Sequence, residues 1–306
     1  MRHFLDIADW QATEISQLLT NAQRLKSELK KNGTNDPVLK GKTLAMVFEK
    51  PSLRTRASFD IGMQQLGGFS VYLGPSEVGF SQRESVADIA RVLSGYADVV
   101  MARVFQHKHL KQLAQYSSVP IINGLSDESH PCQALADALT IVETFGRIDG
   151  LKVAYVGDGN NVAASLMMIC AKLGARFAIA SPNRYTLSEV AFQKAVQNMT
   201  VPVPIESFST PEKAVANADV VYTDTWVSMG QESERDEKIR HFVNFQVTTQ
   251  LMSLAKPNAI FMHCLPAHRG EEVTDDVADG KQSAIFRQAE NRLHAQKALL
   301  VRLLNQ

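Results

Sequence analysis

Apolar residues recur along this chain in two alternating rhythms. Ile15, Leu18, Leu19, Ala22 and Leu25 stand at helical spacing and predict a helix from Asp9, as N-cap, to about Lys31, closed by KNGTNDP at 31–37. Short apolar runs follow at 43–48, 70–73, 97–102 and 119–122, with helical patterns between them at about 52–66, 85–96 and 107–115. A second series of runs lies at 152–156, 177–180, 219–223 and 259–263, again separated by helical stretches. Strands alternating with helices of this length predict βαβ units and parallel sheets. The expected fold is α/β, two doubly wound parallel-sheet domains joined by helices. Residues 133–145 form the linking helix. Residues 290–304, with Leu293, Leu300 and Leu304 on one side, follow the second sheet and are expected to pack back on the first domain.

A length of 306 residues suits two such domains. Lys and Arg total 32 and Asp and Glu total 32, so the formal charge is zero at pH 7. That balance argues against a nucleic-acid or acidic-membrane surface. Local clusters of cations therefore need a small partner. Cys132, Cys170 and Cys264 are odd in number and far apart, which fits neither a disulfide framework nor a metal-knuckle spacing. Asp6 stands where a secretory signal needs an apolar core, and no apolar run is long enough to span a bilayer. A soluble cytoplasmic protein is expected, with no nucleic-acid and no membrane partner.

Directly after the first predicted strand comes PSLRTRASF, 51–59. Pro51 stops the strand and Ser52 is a good N-cap. Arg54 and Arg56 then sit at the helix end that already carries partial positive charge, an arrangement suited to an incoming anion. First-turn N–H groups, Arg54 and the Thr55 hydroxyl would form a cradle for phosphate. No GxxxxGK[ST] is present, so this is not a nucleotide P-loop. The bland alternative is an ordinary capped helix with solvated arginines.

Four further stretches carry candidate chemistry. In SHPCQALAD, Pro131 fits the first helical position, so His130 and Gln133 share a turn and can face one ligand; Cys132 reads as a packed thiol. GDGNN at 157–161 resembles half a dinucleotide fingerprint, but the third glycine position is Val162 and the next strand ends in Ser-Pro with no acid for a ribose. Asn160 and Asn161 offer amides at the sheet's carboxyl edge instead. Asp224 opens DTWVSMGQE and can pair with an ammonium, and Ser228-Met-Gly230 reads as a turn able to close over a substrate. In FMHCLPAHRGEEV, Cys264 and His268 stand four apart. With no companion CxxC or HxxxH, a metal is not expected, and Cys264 is better placed to touch a substrate, a covalent role having no support.

Taken together, these words resemble the aspartate/ornithine carbamoyltransferase family, and within it the ornithine branch. SLRTR resembles the family's S-T-R-T-R, HPCQ its carbamoyl-phosphate motif, DTWVSMG its ornithine loop, and HCLPAHRGEE the ornithine-branch signature, with similarity from MRHF to ENRLHAQK. The resemblance implies transfer of a carbamoyl group from carbamoyl phosphate to the δ-amine of L-ornithine, giving citrulline and phosphate, with no cofactor and no metal. It implies that 1–132 bind carbamoyl phosphate, that 133–287 bind ornithine, and that the helix at about 288–306 returns to the first domain. Ser52, Leu53, Arg54, Thr55 and Arg103 would hold the phosphate, and His130 and Gln133 the carbamoyl end. Arg54, Thr55 and His130 would polarise the carbonyl. Asn161, Asp224, Ser228 and Met229 would hold ornithine, and Cys264, Leu265 and Arg292 would complete the site. Arg54, Arg103, His130 and Cys264 are the residues given a catalytic part. It also implies a homotrimer, or a larger assembly; of the two metabolic directions, arginine biosynthesis is favoured over breakdown, although no local motif encodes the direction.

Two departures stand out. Leu53 occupies a position where the family commonly has Thr, and Val78-Gly-Phe-Ser-Gln-Arg-Glu-Ser85 fits the family's Q-x-G-x-x-E loop poorly, with Gly79 where Gln is usual. Gln82 or Arg83 then becomes the group lent to a neighbouring subunit. The competing readings are a carbamoyltransferase for N-acetylornithine, putrescine or aspartate, an NAD enzyme built on Gly157-Asp-Gly159, and an inactive family member that only binds.

Overall fold

The computed structural model describes residues 2–79, 84–227 and 232–305. The chain forms two compact units, one of residues 1–139 with 290–306 and the other of residues 140–289. Both are α/β with all-parallel sheets.

In the first unit the strands are β1 (Thr43–Phe48), β2 (Phe69–Leu73), β3 (Val99–Arg103) and β4 (Ile121–Leu125), in spatial order β2-β1-β3-β4. The run TLAMVF is buried from Leu44 onward, as a strand covered on both faces must be. The predicted first helix begins later than Asp9. Asp6 caps a short 3-10 turn at Ile7–Asp9, and the helix Ala12–Asn32 starts behind Gln11, whose capping box with Glu14 fixes that end. Gly33 then stops it at φ 75°.

The second unit holds β5 (Lys152–Val156), β6 (Arg176–Ala180), β7 (Ile205–Phe208), β8 (Val220–Thr223) and β9 (Ile260–His263), in order β7-β6-β5-β8-β9. β7 has no counterpart in the apolar pattern because, as an edge strand, it carries Glu206 and Ser207 and is nowhere fully buried. Helix Ile285–Leu304 is longer than its apolar pattern. Leu299, Leu300 and Leu303, with Ala295 and Ala298, form its buried stripe, displacing the expected Leu293 and Leu304.

Each sheet has one place where the strand order reverses. In open α/β sheets, ligands bind beyond the carboxyl ends of the strands at that place. In the first unit it lies between β1 and β3, where Phe48 pairs with Arg103. In the second it lies between β5 and β8, where Val156 pairs with Thr223.

Candidate active site

At the first reversal, β1 runs into Glu49-Lys-Pro-Ser52 and the helix Leu53–Gln65. Ser52 is the N-cap, its hydroxyl accepting from the Thr55 N–H at 3.3 Å. Helix geometry gives the N–H groups of Leu53 and Arg54 no carbonyl to bond within the helix. Leu53 is 79% exposed, so its missing hydroxyl costs the helix nothing; Thr55 is buried. The two arginines part company here. Arg54 is half-buried, whereas Arg56 is exposed and lays its guanidinium 4.0 Å over the Tyr72 ring, so Arg56 belongs to packing rather than to the cradle.

Arg103 ends β3 and is buried. Beyond β4, His130 precedes the helix Pro131–Phe145, which puts Gln133 in its first turn. Gln133 Oε1 accepts from Arg292 Nη1 at 2.7 Å, and Arg292 Nη2 donates to Thr55 Oγ1 at 3.3 Å. One guanidinium fork therefore ties Gln133 to the first turn of the helix Leu53–Gln65. With its amide turned to satisfy both ends, Gln296 accepts from Arg292 Nε at 3.3 Å and donates to Ser58 Oγ at 2.5 Å.

Burial, reinforced by Arg292, Arg103, Lys50 and Arg54, holds His130 well below the usual histidine range. Its imidazole is neutral near pH 7 and can offer an N–H donor but not a cation. Lys50 has no place in the sequence reading. It is buried next to the corner, with Nζ 4.9 Å over the Phe105 ring, and burial followed by Arg103 brings its ammonium down to about 8. A lysine between a strand and an N-cap Ser was the available signal. Cys132 donates to the Asn123 carbonyl at 3.3 Å, and burial pushes its thiol up to about 12, which removes it as a nucleophile.

At the second reversal, β5 leads into Gly157–Asn160, and β8 ends just before Asp224. Asn160 caps the helix Asn161–Leu173 by accepting from the N–H groups of Val162 and Ala163, and its Nδ2 donates to Asp224 Oδ2 at 2.8 Å. Asn161 is the first helical residue, so its neighbour Asn160 is the asparagine bonded to Asp224. Asp224 Oδ1 also accepts from the Thr225 N–H at 2.8 Å and from Cys264 Sγ at 2.9 Å. A carboxylate offers about four acceptor positions, so one remains for an ammonium N–H. Cys264 thus meets Asp224, while His268 Nδ1 lies 3.0 Å from Thr225 Oγ1, so the four-residue spacing does not make them a working pair. Leu265, at φ 59°, donates its N–H to His263 Nδ1, and His263 Nε2 then donates to buried Glu272. Asp224, His263 and Cys264 bring possible ligand atoms within 4.8 Å of one another. Both His263 nitrogens are already engaged, which spoils that set for a cation.

The dinucleotide resemblance has a local explanation. A Cβ on Gly159 would lie 2.4 Å from the Leu187 nitrogen, so this glycine admits the neighbouring chain, and Asp158 is spent on Lys238 at 2.7 Å. Ser228, Met229, Gln82 and Arg83 lie outside the described residues.

Comparison with known proteins bears on both halves. Residues 2–143 match the model described as aspartate/ornithine carbamoyltransferase, carbamoyl-P binding domain, and residues 149–303 match that family's Asp/Orn binding domain. A protein of Anoxybacillus flavithermus named ornithine carbamoyltransferase is 52% identical, covering 99% of this chain and 96% of its own. One of Pyrococcus furiosus, named ornithine carbamoyltransferase, anabolic, is 53% identical, covering 98% and 95%. The solved structure of ornithine carbamoyltransferase from Pyrococcus furiosus superposes with a TM-score of 0.96 at 52% identity, covering 99% of this chain and 97% of that one.

Proposed function

The chain belongs to the aspartate/ornithine carbamoyltransferase family, and from that premise we propose that it is an ornithine carbamoyltransferase, moving the carbamoyl group of carbamoyl phosphate to the δ-amine of L-ornithine. The observation that carries this reading is the pair of strand-order reversals, one edged by cations and N–H donors, the other by Asp224 and its partners. The first suits a phosphorylated donor and the second an amino acid.

In this reading the phosphate rests on Ser52, the Leu53 and Arg54 N–H groups, Thr55 and Arg103. Neutral His130, with Arg54 and Thr55, stabilises negative charge growing on the carbonyl oxygen. Gln133, Leu265 and Arg292 complete the carbamoyl end. Asp224 takes the α-ammonium of ornithine in its remaining acceptor position, beside Asn160, Asn161 and Cys264. The neutral δ-amine attacks the carbonyl carbon, a tetrahedral species forms, and phosphate departs with the C–O bonding pair, taking up the proton that the nitrogen, positively charged after attack, must shed. Orientation and charge stabilisation supply the rate. The anabolic name of the Pyrococcus furiosus relative supports a role in arginine biosynthesis.

A homotrimer fits the apolar exposure of the first unit. Phe69 and Val71 stand exposed on the edge strand β2, and Leu53 and Ile61 are exposed on the neighbouring helix, a surface that soluble proteins ordinarily cover. Light scattering at three times the chain mass of 33.8 kDa is expected. Among the described residues no helix is long and apolar enough to cross a membrane, and the three cysteines are free, which supports a cytoplasmic location. The deciding assay gives purified protein carbamoyl phosphate with ornithine, N-acetylornithine, putrescine or aspartate. Citrulline from ornithine is the expected outcome; turnover of another amine alone overturns the assignment.

A further inference from the structure

Gln133 is held from both sides by groups of opposite character. One helical turn on, fully buried Asp137 accepts from Gln133 Nε2 at 2.8 Å, and across from it Arg292 donates to Gln133 Oε1 at 2.7 Å. A carboxylate only accepts and a guanidinium only donates. An amide's two ends are close in shape and differ in hydrogen-bonding character, so its partners decide which end faces which way. Here, turning it over would set oxygen against oxygen and N–H against N–H. Arg292, itself held by Thr55 Oγ1, fixes the oxygen end of the amide, and the carboxylate of Asp137 fixes the nitrogen end.

We infer that Asp137 is a positioning residue: it keeps the Gln133 amide turned so that its oxygen, which has a lone pair beyond the one given to Arg292, receives the NH2 of the carbamoyl group. The inference rests on the reading of Gln133 as a carbamoyl contact and adds a basis for donor selection. Carbamoyl phosphate and acetyl phosphate share the phosphate and the carbonyl, and differ by NH2 against CH3. An acceptor oxygen rewards the first and is left unpaired by the second, the kind of mismatch that polar sites reject strongly. An amide free to turn over would present its own N–H groups to the carbamoyl NH2 and lose that preference.

The test titrates the full-length protein with carbamoyl phosphate and, separately, with acetyl phosphate by calorimetry. Three forms are compared: wild type, Asp137→Asn, and the swap Gln133→Glu with Asp137→Asn. The swap conserves net charge and nearly conserves shape. In it the amide introduced at position 137 would donate to the carboxylate introduced at position 133, whose oxygens remain acceptors for Arg292 and for the ligand. Wild type is expected to prefer carbamoyl phosphate. Asp137→Asn should weaken carbamoyl phosphate by roughly tenfold, the worth of one hydrogen bond, with acetyl phosphate changed by less than about twofold. The swap should regain the preference, and it stands as an independent test if the single variant does not fold. Equal weakening of both ligands in Asp137→Asn, or a swap that binds without preference, overturns the inference alone. Wild-type protein that binds neither phosphate overturns the parent reading with it.

Discussion

Raising the pH from 7 to 9 should weaken carbamoyl phosphate through one residue, Lys50. Its ammonium titrates at about 8 in the free protein because burial and the Arg103 charge oppose it more than Asp127 and Glu49 support it. A phosphate dianion at the Ser52–Thr55 corner restores the charged form and returns the pKa towards its ordinary value of 10.5. The sign follows directly. Below about 8 the free protein already holds the proton, so affinity is flat; above it, binding must recruit a proton and affinity falls. With those two limits, affinity at pH 9 is roughly a tenth of its value at pH 7, and binding at pH 9 takes up close to one proton per site. Neither neighbour confuses the measurement, since Cys132 stands at about 12 and His130 is held well below 6.5. Calorimetry in buffers of different ionisation enthalpy reads the proton count. Lys50→Met should bind more weakly at pH 7 and show no proton uptake at pH 9. Uptake that is absent in wild type, or that persists in Lys50→Met, refutes the reasoning.

Arg54→Ala should lose about 3 kcal/mol of transition-state stabilisation, read from kcat/KM, and unchanged turnover and affinity in a folded variant would remove Arg54 from the cradle. Arg292→Lys keeps the charge but not the fork that reaches both Gln133 and Thr55, so kcat/KM should fall by roughly tenfold to a hundredfold. Cys264→Ser should raise KM for ornithine while turnover persists, because the hydroxyl can still donate to Asp224; a carbamoyl group trapped on Cys264 would overturn the non-covalent mechanism.

How far the sequence reached depends on the distance over which each signal acts. β1 and β5 coincide with their apolar runs, and the Ser52 cap stands where the Pro-Ser pair placed it, because burial and capping are written within a few residues. Strand alternation carried the parallel two-sheet fold for the same reason. Partnerships across long separations left no local trace. Arg292 and Gln133 are 159 positions apart, and Asn160 and Asp224 are 64 apart. Nothing near GDGNN announces that Asn160 pairs with Asp224, and Arg56 was read with Arg54 because nothing near PSLRTR announces the Tyr72 ring. Asp137 was hidden in plain helical register, four residues after Gln133.

The cations that reinforce burial in neutralising His130 bear on the other reactant as well. Arg292, Arg103, Lys50 and Arg54 all disfavour a second cation beside that imidazole. Any amine that approaches the carbonyl enters the same field, which penalises its ammonium form and leaves its neutral form almost untouched. The reacting nitrogen needs its lone pair, so the cations that grip the donor also favour the nucleophilic state of the acceptor. Bulk solvent can take the ammonium's proton before attack, and the departing phosphate can take the second one, which the nitrogen sheds after attack. Under the proposed reading the α-ammonium would meet the opposite environment at Asp224, where a buried carboxylate favours the charged form.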